Sequence, residues 1–140
     1  MSEHKYFIDT NIFLCPIVKD DFQKVKECED FFELINCGKI KAVTSSIVLA
    51  ECIWTGMSFY KISKNEMVEV LRGALKLRGL KIVDNFNCAL AVELYAGHSV
   101  KFIDALIASI PLIAGGEMIA VSYDKDFDKL KIKRKEPKNV

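Results

Sequence analysis

Histidine is nearly missing from this chain. His4 and His98 stand far apart, and the five cysteines at 15, 28, 37, 52 and 88 include no CxxC pair. Zinc sites and thioredoxin-like redox chemistry therefore have no framework here, and an odd number of thiols does not suit a disulfide scaffold. The cysteines read instead as small core residues of a reduced, cytosolic protein. Long apolar runs are also lacking. The longest, 105–116, contains Pro111 and is too short to span a bilayer. The opening residues show no cleavable signal pattern, so the expectation is a cytoplasmic protein with no membrane partner. Charge of one sign is absent too. Lysine plus arginine number 20 against 19 acids, a net charge of +1, so any nucleic-acid surface has to be local.

What is present is a foldable chain. Its 140 residues are 51% hydrophobic and 28% charged, which fits one domain over 1–140 with a sizeable core. Short β-prone runs alternate with helical periods. Strands are expected at Tyr6–Ile8, Lys41–Thr44, Leu80–Val83 and Met118–Ser122, with an edge strand at Lys131–Lys133. A short helix or turn interrupted by Pro16 follows the first strand. A longer helix, about Asp20 to Cys37, carries a stripe of Phe22, Val25, Cys28, Phe32 and Ile35. Further helices are expected over Ile47–Met57, about Lys64 to Arg78 with Leu75 on the apolar face, about Cys88 to Tyr95, and Phe102–Ala114, kinked or shortened by Pro111. Strands alternating with helices argue for a mostly parallel sheet covered on both faces. From about Lys129 the tail turns basic. It offers Lys129, Lys131, Lys133, Arg134, Lys135 and Lys138 to RNA phosphate, or else frays in solvent.

Four acids sit where acids are not expected. Asp9 comes directly off the first strand, and Asp124 comes off the fourth. Glu51 lies beside the apolar stripe of a helix, with Ile47, Val48 and Trp54 as neighbours. Asp104 opens a very apolar helix, next to Ile103, Ile107 and Ala108. Each has a bland explanation: a cap, a partnered buried acid, a dipole-favoured helix start, an Asx turn. Together, two strand-end acids and two helix acids can converge on one sheet edge. Crowded carboxylates raise one another's pKa unless a hard cation such as Mg²⁺ or Mn²⁺ neutralises them. Thr10, Asn11 and Ser122 can then orient carboxylates or water, and Asp126 and Asp128 read as solvated. No histidine, cysteine or lysine stands out as a nucleophile, which favours hydrolysis by metal-activated water on a phosphoryl centre.

In this order, Asp9-Thr10-Asn11 after a strand, Ser46 and Glu51 in SSIVLAE, Phe102-Ile103-Asp104-Ala105 opening a helix, and Ser122-Tyr123-Asp124-Lys125-Asp126-Phe127 after a late strand resemble the PIN-domain nucleases. The likeness spans about residues 5 to 133. It implies a three-layer α/β/α sandwich with four or five mostly parallel strands. It also implies a Mg²⁺- or Mn²⁺-dependent endoribonuclease. Asp9, Glu51 and Asp104 match the three best-kept acids, and Asp124 matches a more variable fourth, with Asp126 as its substitute. Small members resemble VapC-type toxins, which implies a homodimer, an RNA substrate and an antitoxin partner. A non-catalytic PIN-like module that binds RNA or protein, and an RNA-processing nuclease outside any toxin–antitoxin pair, remain the alternatives. A HAD-type phosphatase needs a second aspartate where Asn11 stands, and a receiver domain leaves Glu51 unexplained.

Overall fold

In the computed structural model, which describes residues 4–140, five short strands make one sheet in the order β3-β2-β1-β4-β5, every pair parallel. They are β1 (Tyr6–Ile8), β2 (Ala42–Thr44), β3 (Leu80–Ile82), β4 (Ile119–Val121) and β5 (Arg134–Lys135). The chain runs outward from β1 to β3 and then returns across the sheet to β4. The helices α1 (Thr10–Val18), α2 (Phe22–Asn36), α3 (Ser46–Trp54) and α4 (Lys64–Leu75) belong to the outward half. The helices α5 (Cys88–Gly97), α6 (Phe102–Ala108), α7 (Pro111–Ala114) and α8 (Asp126–Lys129) belong to the return. Right-handed crossovers place the two sets on opposite faces, giving three layers. Packing agrees: α1 meets α2 and α3, whereas α6 meets α5, α7 and α8.

Apolar side chains from both layers close on the central strands. Phe7, Ile8 and Val121 of the sheet are fully covered, as are Ile12, Phe31, Ile35 and Val48 on one side and Ile107, Ile113 and Phe127 on the other. Reversal of strand order about β1 leaves a crevice beyond its C-terminal end, the usual ligand position in open parallel sheets. The register Ile8↔Val121 sets the end of β1 beside that of β4. Thr44 Oγ1 donates to the Ile8 carbonyl at 2.8 Å and ties in the end of β2.

Several local expectations need correction. Helical phase put Phe22 and Leu75 in the core, but they are 85% and 57% exposed. Phase marks a face, whereas burial needs an element opposite it, and at α2 that element meets Phe31 (1% exposed). Cys15, Cys28 and Cys52 are buried, but Cys37 and Cys88 are exposed. Pro111 does not kink a single helix. It divides the segment into α6 and α7 and takes the first position of α7, where its missing N–H costs no hydrogen bond. The expected strand at Lys131–Lys133 falls instead at Arg134–Lys135. The tail beyond it is folded: a 3₁₀ turn over Pro137–Asn139 meets α2, with Pro137 buried.

Gly79 marks the tightest backbone approach. A Cβ there would lie 2.6 Å from the Ile40 carbonyl oxygen and 2.7 Å from that of Ile35. Its own amide donates to Ile35 and its carbonyl accepts from Ala42, so the backbone has nowhere to retreat. Gly79→Ala should therefore lower stability by about 2 kcal/mol, the scale of overpacking, read as a fall in denaturation midpoint. An unchanged midpoint would contradict this packing.

Candidate active site

The crevice at the strand ends is a cavity of about 230 Å³ that gathers Asp9, Glu51 and Asp124 with Thr10, Asn11, Lys24, Lys101 and Tyr123. Asp9 leaves β1 and caps α1, accepting from the Thr10 amide at 2.8 Å. Its second oxygen accepts from Ser122 Oγ at 2.6 Å and from Asn11 Nδ2 at 3.3 Å. Asn11 also donates to Ser122 Oγ at 3.0 Å and accepts from the Tyr123 amide. Thr10 Oγ1 donates to Glu51 Oε1 at 2.5 Å, joining α1 to α3. Thr10, Asn11 and Ser122 are thus each hydrogen-bonded to Asp9 or Glu51.

Asp104 differs. It is 2% exposed, and its Oδ2 has no hydrogen-bond partner among the described residues. Leaving such an oxygen dry and unpaired is costly. Asp124 and Asp126 each bring a carboxylate oxygen into a group with Asp104 in which all three lie within 4.8 Å of one another. Asp126, half-exposed and expected either to be solvated or to stand in for Asp124, has its amide donating to Asp124 Oδ1 at 2.9 Å. Ser46 does not reach the acids. Its amide and hydroxyl both donate to Asp84, an anchor for the start of α3 that sequence reasoning missed.

The electrostatics follow from burial and crowding. Burial pushes the Asp9 carboxyl up to about 6, against the lowering effect of its bonds from Ser122 and Thr10, with Glu51 adding to the rise. Burial raises Asp104 to about 7, reinforced by Asp9, Asp124 and Glu51. Lys101 was also missed. Its Nζ lies 3.9 Å from Glu51 Oε2. Burial pulls that ammonium down, but Glu51, Asp104, Asp124 and Asp9 outweigh it, so the group stays charged and is no nucleophile. The donor set suits a hard divalent cation: oxygen ligands only, one of them buried and unpaired.

Two basic residues of the tail are held by the fold. Arg134 lies with its side chain 13% exposed, donating to the Ser122 carbonyl at 3.0 Å and to both Asp128 oxygens. Lys129 is tied to Asp126 and to the Ser99 carbonyl.

A family model for the PIN domain matches residues 6–133. The chain belongs to the PIN domain family. Among solved structures, this PIN domain is similar to VapBC2 from Rickettsia felis, a complex bound to a promoter DNA fragment. The identity is 25% and the TM-score 0.66, with 94% of this chain and 97% of that one covered. VapC20 of Mycobacterium tuberculosis, described as a sarcin-ricin loop cleaving toxin, aligns at 17% identity and TM-score 0.65 over 91% and 95% of the two chains. PAE2754 from Pyrobaculum aerophilum aligns at 12% identity and TM-score 0.59, covering 89% and 83%. The last two likenesses concern the fold alone. No curated protein sequence matches the chain.

The raised carboxyls have a stability consequence with a definite sign. Asp9 and Asp104 hold protons more tightly folded than unfolded. Their contribution to the stability of the metal-free PIN domain is therefore fully present below about pH 4 and is lost as pH rises through 6 and 7. In EDTA, its melting temperature should be higher at pH 5 than at pH 8, by roughly 5 °C for about 2 kcal/mol. Asp104→Asn should raise the pH 8 value and flatten the profile. A melting temperature that falls on acidification from pH 8 to pH 5 would contradict this account.

Proposed function

We propose that this PIN domain is a Mg²⁺- or Mn²⁺-dependent endoribonuclease and the toxin of a toxin–antitoxin pair. The single observation that carries the reading is Asp104. A buried carboxylate with an unpaired oxygen, next to Asp124 and Asp126, is expensive as structure and useful as a cation ligand. Asp104, Asp124 and Asp126 would hold the ion, with Asp9 and Glu51 completing the acidic pocket. When bound, the cation supplies Lewis-acid activation of water and offsets charge on the phosphodiester.

The chain's own residues supply positioning. Ser122, the Thr10 amide and Asn11 hold Asp9 in one orientation, and Thr10 Oγ1 holds Glu51. The acids are thus arranged before substrate arrives, and little reorganisation is left for the reaction. The same acids repel a phosphodiester until a cation is present, which makes activity conditional on metal. Lys24, set over the Tyr123 ring at the rim, is a local basic group for an RNA strand. RNA is favoured as the substrate because VapC20 is described as cleaving the sarcin-ricin loop.

Partner surfaces support the regulatory half of the reading. Trp54, Phe59, Tyr95 and Phe102 are 66%, 73%, 50% and 40% exposed, and Tyr95 stacks edge-on with Phe102. Large apolar groups at the surface suit a second copy or an antitoxin, and the VapBC2 structure supports a partner of that kind. Among the described residues no helix is long and apolar enough to cross a membrane. A cytoplasmic site of action is part of the proposal.

Sequencing RNA ends after incubation with the protein and Mn²⁺ tests the activity and its site preference together. Asp9→Asn and Asp104→Asn should each lose on the order of 100-fold. Cleavage that survives excess EDTA, or either substitution, would sink the mechanism. Light scattering should return twice the 15.8 kDa chain mass, and a monomer at micromolar concentration would remove the homodimer from the proposal.

A further inference from the structure

The cavity at the strand ends has an apolar lobe as well as its acids. Leu14 and Val18 of α1 line it, together with Thr55 and Tyr60 beyond α3. Leu14 and Val18 follow Asn11 along one face of α1, at helical steps of three and four residues. At 1.5 Å per residue, that face carries the wall about 10 Å onward from Asn11. A hard cation takes oxygen ligands and has no use for such a lobe.

Tyr60 reaches the lobe through a local irregularity. Helix α3 ends at Trp54, and Thr55–Phe59 form one π-helical stretch. Its closing bond runs from the Tyr60 amide to the Thr55 carbonyl at 3.1 Å, five residues back. In a continued α-helix Phe59 would follow Thr55 on the face that carries Glu51. The extra residue in the turn gives that place to Tyr60, and Phe59 is 73% exposed. Gly56 seats the turn against α4: a Cβ there would lie 2.5 Å from Met67 Sδ. Phe59 meets the Tyr60 ring edge-on, 4.9 Å between centroids.

A ring that only sealed the core would be covered, but Tyr60 keeps 39% of its surface exposed. The same cavity holds Lys24, whose ammonium lies 4.7 Å from the centre of the Tyr123 ring, and Lys101. An aromatic face, two cations and an acid centre thus share one space. Stacking on an aromatic ring accepts any nucleobase, because every base has a π face. A base is favoured over a protein side chain because the lysines attract the phosphates that come with it.

We propose that Tyr60 and the apolar face of α1 form a nucleobase subsite, which holds a base next to the scissile phosphate of single-stranded RNA. This rests on the ribonuclease reading above and names how that site grips its substrate.

The test uses a short RNA spanning the site that the wild type cuts in Mn²⁺, and copies with a stable abasic residue at each position flanking the scissile bond. On intact RNA, Tyr60→Ala should lower kcat/KM about 10-fold. Tyr60→Phe, which keeps the aromatic face, should recover most of that loss. With wild type, one abasic copy should lose a similar factor, and on that copy Tyr60→Ala should lose nothing more. Thermal melts show whether each variant is folded, and the abasic series on wild type needs no variant. Losses that multiply, or no loss at any abasic position, overturn the subsite and leave the nuclease standing. Tyr60→Ala with wild-type turnover also overturns it and assigns the ring to a protein partner. No cleavage by wild type overturns both proposals.

Discussion

Ser122 Oγ donates to Asp9 Oδ2 at 2.6 Å across the ends of β4 and β1, and much of the molecule is arranged around that short bond. The ends of β1 and β4 lie side by side because strand order reverses at β1 and the two strands run parallel in the register Ile8↔Val121. The same serine accepts from Asn11 and from the Asp124 amide. One hydroxyl thus connects the first strand, the first helix and the loop that carries Asp124 and Asp126. Without the parallel register these groups would stand on different edges, and the pocket would not exist.

The pocket works against the stability of its own fold. Asp9 and Asp104 are pushed up to about 6 and about 7 because they are buried among like charges. A structure selected for stability alone would place apolar side chains there. The surrounding core offsets the cost: fully covered Phe7, Ile8, Val121 and Ile107 hold the strand ends and α6 in place whatever the charge state of the acids. Such a rigid frame around an electrostatically unfavourable centre is what a preorganised binding site requires.

The alternation of strands and helices was legible because hydrophobic period is a local signal. Asp9 and Asp104 were legible because an acid directly after a buried strand, or among Ile103, Ile107 and Ala108, violates local expectation. Phe22 and Leu75 were misplaced for a common reason. Periodicity states which face a side chain occupies, but not whether another element covers it. Lys101 carried a faint signal, a lysine where a helix cap belongs, which becomes readable only once the acids opposite it are known. Arg134 looks like a free cation in a string of lysines, but it spends its donors on Asp128 and the Ser122 carbonyl.

The sequence by itself determined the order of elements, the apolar strands that become the centre of the sheet, and the acids at the ends of β1 and β4. These depend on side-chain chemistry and short-range spacing. Tertiary structure alone decided which acids meet. Glu51 reaches Thr10 across 41 positions, and Ser122 reaches Asp9 across 113. It also left Asp104 Oδ2 unpaired while every oxygen of Asp9 found a donor. No local pattern encodes that division, because it arises from how two layers of helices close over one reversal in a parallel sheet.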